Sequence, residues 1–229
     1  MPYNIENIFI CITIPLIISL FFIKGAARRY TFFIVTGMLV CMLSAYVNSF
    51  FMSSYGADEM IAAIEITPVC EELIKLLPLL FYFLVFEPEP SQLTPAAIAI
   101  GGGFATFENA CYMTANGADD LIFLLIRGMS AGALHILSGI IIGFGLSYIF
   151  RKSWLMITGT MGLYGVSVTL HALYNLMITD ESSIWNTLGY IFPAAIIIIL
   201  FVLKTVLLRN VVHGEPDASE EACENVREE

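Results

Sequence analysis

Charge is scarce in this chain, and much of it lies at one end. Lys, Arg, Asp and Glu together make up 13% of the 229 residues, against 58% hydrophobic residues, and the mean hydropathy is +0.83. A soluble domain of this length carries roughly 25% charged residues. That class is excluded, and a polytopic membrane protein is implied. The five cysteines, Cys11, Cys41, Cys70, Cys111 and Cys223, are scattered singly, which excludes a CxxC metal knot and leaves no disulfide framework visible. Cys70 adjoins two glutamates but reads as a small buried hydrophobe rather than a nucleophile. GxSxG and HExxH are both absent, so the standard serine and zincin routes lack their signatures. The net charge of -10 owes much to Glu215, Asp217, Glu220, Glu221, Glu224, Glu228 and Glu229. Such a run predicts a solvated, disordered tail over 210–229 rather than a docking motif. No nucleic-acid partner is expected.

What is present in quantity is apolar sequence. Crossing about 30 Å of hydrocarbon takes roughly 20 residues at 1.5 Å each, and seven stretches qualify: Ile5 to Ile23, Thr31 to Phe51, Met60 to Phe86, Thr94 to Thr114, Leu121 to Phe150, Trp154 to Ile178 and Ile184 to Leu208. The expected fold is therefore an all-α transmembrane bundle of about seven spans, forming one domain over 1–209. The first stretch lacks a basic leader and an A-x-A site, so it reads as a retained span. Pro68 and Pro78 are expected to bend the third. Lys24, Arg28, Arg29, Arg151, Lys152, Lys204 and Arg209 all fall on one side, while SSYGADE, ANGADD and ITDESS on the other carry acids and no Lys or Arg. The positive-inside rule then predicts the amino terminus outside and the carboxyl terminus in the cytoplasm. Arg127, near the outer start of the fifth span, is expected to snorkel.

Against this background the ionisable residues at depth stand out, because each costs several kcal/mol in hydrocarbon and marks a site by default. Glu71, Glu72 and Lys75 lie in the third span, Glu108 in the fourth, His135 in the fifth and His171 in the sixth. Lys75 is one helical turn from both acids and can neutralise one while leaving the other available. His171 and Asn175, at i and i+4, share a face. Counting rise from the span ends places all of them toward the outer half, at overlapping levels, so convergence on one water-accessible cavity is expected. Tyr112, Tyr164 and Tyr174 read as packing or interface aromatics.

A glutamate and a neutral histidine facing confined water make a general-base pair, and Asn175 with a histidine can donate to the oxyanion of a tetrahedral intermediate. Peptide hydrolysis within the membrane would use all of these. A proton-coupled transporter is the rival reading, disfavoured by the odd span count and the absence of an inverted repeat.

The motifs occur in a fixed order. Glu71-Glu72-Leu73-Ile74-Lys75 has the form EExxK, Phe104 to Glu108 the form FxxxE, and His171 to Asn175 the form HxxxN, with His135 between the last two. In that order, over residues 60–180, they resemble the PrsW family of intramembrane proteases, which looks related to the type II CAAX prenyl endopeptidases. The resemblance implies site-1 cleavage of a single-span anti-sigma factor at the extracytoplasmic side of a bacterial plasma membrane. It also implies that Glu71 or Glu72 activates water with help from Glu108, while His171 and Asn175 steady the oxyanion and Lys75 and His135 support them. Two positions depart from the patterns. Glu108 stands where the prenyl endopeptidases have histidine, and Asn175 where PrsW-type HxxxD motifs have aspartate. Catalysis without a cofactor is the preferred expectation. The alternative is Zn²⁺ held by Glu108, His135 and His171 with Glu72 as base.

Overall fold

The computed structural model describes residues 5–117, 119–149, 155–180 and 182–213, with side chains described throughout except at 116 and 203–213. The chain divides into two compact units, residues 1–194 and 195–229. Within the first lie α1 (Ile5–Ser19), α2 (Gly25–Tyr55), α3 (Glu59–Ile61), a π-helical segment (Ala62–Ile66), α4 (Thr67–Phe86), α5 (Pro90–Asn116), α6 (Leu121–Ile149) and α7 (Leu155–Thr179). The start of α8 (Ser183–His213) also belongs to it, and the described part of the second unit is the remainder of that helix. Ile198, Ile199, Phe201 and Val202 there are exposed, as a lipid-facing helix requires.

The seven expected spans correspond to seven helical stretches among the described residues, the third being α3, the π segment and α4 taken together. The protein is an all-helical membrane bundle. By length and composition, α2, α6, α7 and residues Ser183–Val202 of α8 are long and apolar enough to cross a membrane. α1 is shorter than expected, since the chain from Leu20 to Ile23 leaves the helix through turn-type hydrogen bonds to Ser19 and its neighbours. α4 carries three charged groups that must be satisfied inside the protein. Arg151, Lys152 and the tail beyond His213 lie outside the described residues, as do the side chains of Lys204 and Arg209.

The bundle is built around α5. Phe104, Phe107, Ile100, Leu93 and Ala99 on this helix are almost wholly buried, and its most extensive packing is against α6 and α2. Small residues permit the approach. A Cβ on Gly103 would overlap the Ile34 carbonyl of α2, one on Gly37 the Ile100 carbonyl, and one on Gly101 the His135 carbonyl of α6. The sequence GGGF is thus a packing surface, as its lack of a preceding strand implies. Gly101 also sets function, because the backbone contact it allows fixes α6 beside α5 two turns from Glu108.

Successive helices alternate in direction, so α3, the end of α5, the start of α6 and the end of α7 share one end of the bundle. Glu108 and His171 lie eight residues from the ends of their helices at that side, roughly 12 Å, and Glu72 and His135 lie roughly 20 Å from it.

The close approaches make neighbouring glycines respond oppositely. Gly102→Ala, which meets nothing within 4 Å, is expected to raise stability by about 0.5–1 kcal/mol. Gly103→Ala is expected to lower it by about 1–3 kcal/mol. Thermal unfolding of both variants in detergent checks the pair.

Candidate active site

The site begins with a defect in the backbone. Pro68, in the first turn of α4, has no N–H to donate. Just before it the helix widens, and the Thr67 N–H bonds to the Ala62 carbonyl, five residues back. The Ala63 carbonyl would receive Thr67 in an α-helix or Pro68 in a π-helix, and obtains neither. Asn175 of α7 fills the vacancy, its Nδ2 donating to Ala63 O at 2.7 Å. A carbonyl accepts only, so the orientation of the amide is fixed by its partner.

One turn further on, Glu72 is fully enclosed, with 0% exposure. Its Oε1 receives Lys75 Nζ at 2.6 Å and His171 Nδ1 at 2.9 Å, and its Oε2 receives the Ser138 hydroxyl. Donors from α4, α6 and α7 therefore meet on one carboxylate. The Lys75 ammonium also lies 2.9 Å from His135 Nδ1 and 4.5 Å from the centre of the Phe104 ring, a cation–π contact that compensates lost hydration.

The partners assign the imidazole tautomers. An ammonium only donates, so His135 Nδ1 accepts from Lys75, and its proton sits on Nε2, 2.7 Å from Glu108 Oε2. Glu108 is also held by Arg127 Nη2 at 3.2 Å, whose guanidinium lies 3.7 Å from the Tyr112 ring centre. Its side chain is 31% exposed, the most open of the three carboxylates. His171 donates from Nδ1 to Glu72, which leaves its Nε2 lone pair facing Glu71 Oε2 at 3.9 Å.

Glu71 is the acid that this network leaves available. Apart from His171, its described partner is Asn48 Nδ2 of α2, at a long 3.5 Å. The Asn48 Oδ1 is buried and has no partner. Glu71, His135 and His171 each offer a ligand atom, all within 4.8 Å of one another, and all three residues are buried. Two imidazoles and a carboxylate match the donor set of a catalytic zinc site. His171 presents a lone pair and Glu71 an oxygen that face each other, and His135 adds a second imidazole. These residues fit a metal ion.

All seven residues singled out in the sequence fall in or beside this cluster. The groups pair directly instead of surrounding a roomy hollow: the void against Lys75, His135 and Ser138 measures about 10 Å³, room for about one water molecule. Glu108 does not share a donor cluster with both histidines. It braces His135 from behind, and Glu71 takes the place expected of it. Asn175 gives one of its two amide N–H groups to the Ala63 carbonyl, which anchors its side chain to the π segment. Glu72 has both of its oxygens engaged by donors. Arg127 turns inward to Glu108 and does not snorkel. Asn48 escaped a search confined to ionisable groups, although an amide midway along an apolar helix is itself a signal. The tyrosines pack as expected, with Tyr174 hydroxyl 3.0 Å from Ser130 and Tyr164 donating to Val69 O at 2.8 Å.

Removing one member of the buried pair strands the other. Lys75→Met is expected to destabilise the protein by about 3–5 kcal/mol, and adding Glu72→Gln to it to recover part of the loss. Asn175→Leu is expected to cost about 1–3 kcal/mol through the unsatisfied Ala63 carbonyl. Unfolding in detergent, run as a double-mutant cycle for the first pair, measures each.

The pattern of the PrsW family intramembrane metalloproteases matches residues 26–207. That range includes every residue of the cluster. No curated protein and no solved structure matches the chain. The word metalloprotease removes support from the expectation of catalysis without a cofactor, and the Glu71–His135–His171 donors point the same way. The match spans most of the chain and agrees with a buried acid–imidazole centre in a helical membrane bundle, and we conclude that the protein belongs to the PrsW family of intramembrane metalloproteases and is a membrane-embedded peptidase.

Proposed function

We propose that the protein makes the site-1 cut in a single-span anti-sigma factor, at the outer side of a bacterial plasma membrane, with its amino terminus outside and its carboxyl terminus in the cytoplasm. The observation that carries this reading is the 3.9 Å gap between Glu71 Oε2 and His171 Nε2, in the half of the bundle nearer the connections that lack Lys and Arg. The positive-inside rule assigns that half to the exterior.

Glu71, His135 and His171 would hold a zinc ion, which would supply Lewis acidity toward the scissile carbonyl and toward water near neutral pH. Glu71 would be one of the ligands, and its carboxylate would take the proton that leaves water as the water oxygen bonds to the carbonyl carbon. The same proton goes to the amide nitrogen as the C–N bond breaks. Glu72 fixes the His171 tautomer through Nδ1, so that Nε2 points at the reacting position. Glu108 orients His135 in the same manner, as carboxylates behind ligating histidines do. Asn48 holds the Glu71 carboxylate. Asn175 secures the backbone that carries Glu71, which makes it a positioning residue.

The test is cleavage of a membrane-anchored anti-sigma factor by the protein reconstituted in liposomes. Glu71→Gln and His171→Ala are expected to lower the rate at least about 10²-fold with folded protein retained. Chelation is expected to abolish cleavage and zinc to restore it, and zinc bound per chain, measured by elemental analysis, is expected to fall in His171→Ala. Undiminished cleavage by Glu71→Gln would refute the assignment.

A further inference from the structure

At the end of the bundle away from the catalytic cluster, two cavities adjoin, of about 450 and 340 Å³, sizes typical of small-molecule sites. They share Arg29, Phe33 and Tyr82. The first is walled by Ala26 and Ala27 of the opening turn of α2, and the second by Arg28, Phe32 and Phe86. Positive charge gathers in the first two turns of α2. α2 starts at Gly25 with no side-chain cap from Lys24 and no acid in its first turn, so its first N–H groups and the positive end of its dipole are unanswered. Two arginines in the first two turns add to that charge where acids would be favoured. Arg28 makes no hydrogen bond or ion pair among the described residues. Arg29 gives one nitrogen to Gln92 Oε1 at 2.8 Å, an oxygen that also receives the Tyr82 hydroxyl at 3.1 Å. The floor of the cavity thus joins α2, α4 and α5.

We propose that this is a binding site for one anionic phospholipid. The phosphate lies against Arg28, Arg29 and the N–H groups that begin α2, where helix dipole and guanidinium act together. An acyl chain runs along Phe32, Phe33 and Phe86, which are too apolar to hold a free ion in water. A basic pocket between helices at the interfacial end of a membrane bundle suits a charged headgroup joined to a chain. The occupied site braces the ends of the three helices that carry Asn48, Glu71, Glu72 and Glu108, so the lipid adds to the stability of the folded bundle.

The experiment is native mass spectrometry with thermal unfolding on the detergent-purified protein, titrated with phosphatidylglycerol or with phosphatidylcholine of the same acyl chains. One phosphatidylglycerol per chain is expected to bind at least about tenfold more tightly than phosphatidylcholine and to raise the unfolding temperature. Arg28→Gln is expected to weaken that binding about fivefold, with a similar further loss for Arg29→Gln, while Arg28→Lys with Arg29→Lys retains most of it. Arg28 has no described partner, so its single variant carries the test if the double variant does not fold. Equal binding of the two lipids, or unchanged phosphatidylglycerol binding in Arg28→Gln, overturns the proposal. So does inorganic phosphate with phosphatidylcholine reproducing the stabilisation, which would make the site one for free phosphate.

Discussion

The structure depends on how one carboxylate is kept out of water. An ion transferred into a low-dielectric interior loses several kcal/mol even after relaxation, and Glu72 is completely enclosed. The debt is met by donors from three helices: Lys75 on its own, Ser138 on α6 and His171 on α7. Each contact has a direction, so together they fix the rotation of those helices about their axes. Apolar packing alone does this poorly in a membrane, where lipid tails are as good a neighbour as another helix. The site and the fold are therefore the same set of contacts at this point. The ring orientations of His171 and His135 follow from satisfying Glu72 and Lys75.

A second constraint comes from the backbone. In hydrocarbon every carbonyl must find a donor inside the protein, and Pro68 removes one. The π segment shifts the vacancy to Ala63, and Asn175 closes it from α7. Because Asn175 is one turn beyond His171, the bond that repairs α4 also holds the histidine against it. An aspartate at 175 would need a proton to donate in the same way, so the asparagine found here suits this arrangement where the ionised acid does not.

Much of this was legible in the sequence, for a physical reason. Charges within apolar runs have few tolerable places to go, so Glu71, Glu72, Lys75, Glu108, His135 and His171 had to meet. Apolar stretches of spanning length have one regular solution, so the helices had to form near the predicted bounds. Partner choice was not legible. Lys75 sits at i+4 from Glu71 and i+3 from Glu72, and helical spacing permits either; the position of α6 decides for Glu72. The bond from Asn175 to Ala63 was hidden too, because the loss of a donor at Pro68 shows only when each carbonyl of the π segment is accounted for. Arg127 looked like an interfacial residue because nothing in its own helix reveals that Glu108 of α5 lies opposite. What failed in each case was knowledge of one helix's rotation relative to another, which periodicity along a single helix does not contain.

The pairing leaves a charge imbalance that bears on the chemistry. Three carboxylates, Glu71, Glu72 and Glu108, converge with two cations, Lys75 and Arg127, and with imidazoles whose partners define neutral tautomers. Adjacent residues on a helix point about 100° apart, so Glu71 and Glu72 address different sectors. Lys75 neutralises the one at the centre of the bundle, Arg127 the one near the surface, and the unbalanced acid is the one facing the free nitrogen of His171. A buried negative charge without a counter-charge is not stable in such surroundings. Here, Glu71, His135 and His171 keep their ligand atoms within 4.8 Å of one another. The adjacent glutamates thus differ in their surroundings: Glu72 gathers donors from three helices, and Glu71 is left facing His171.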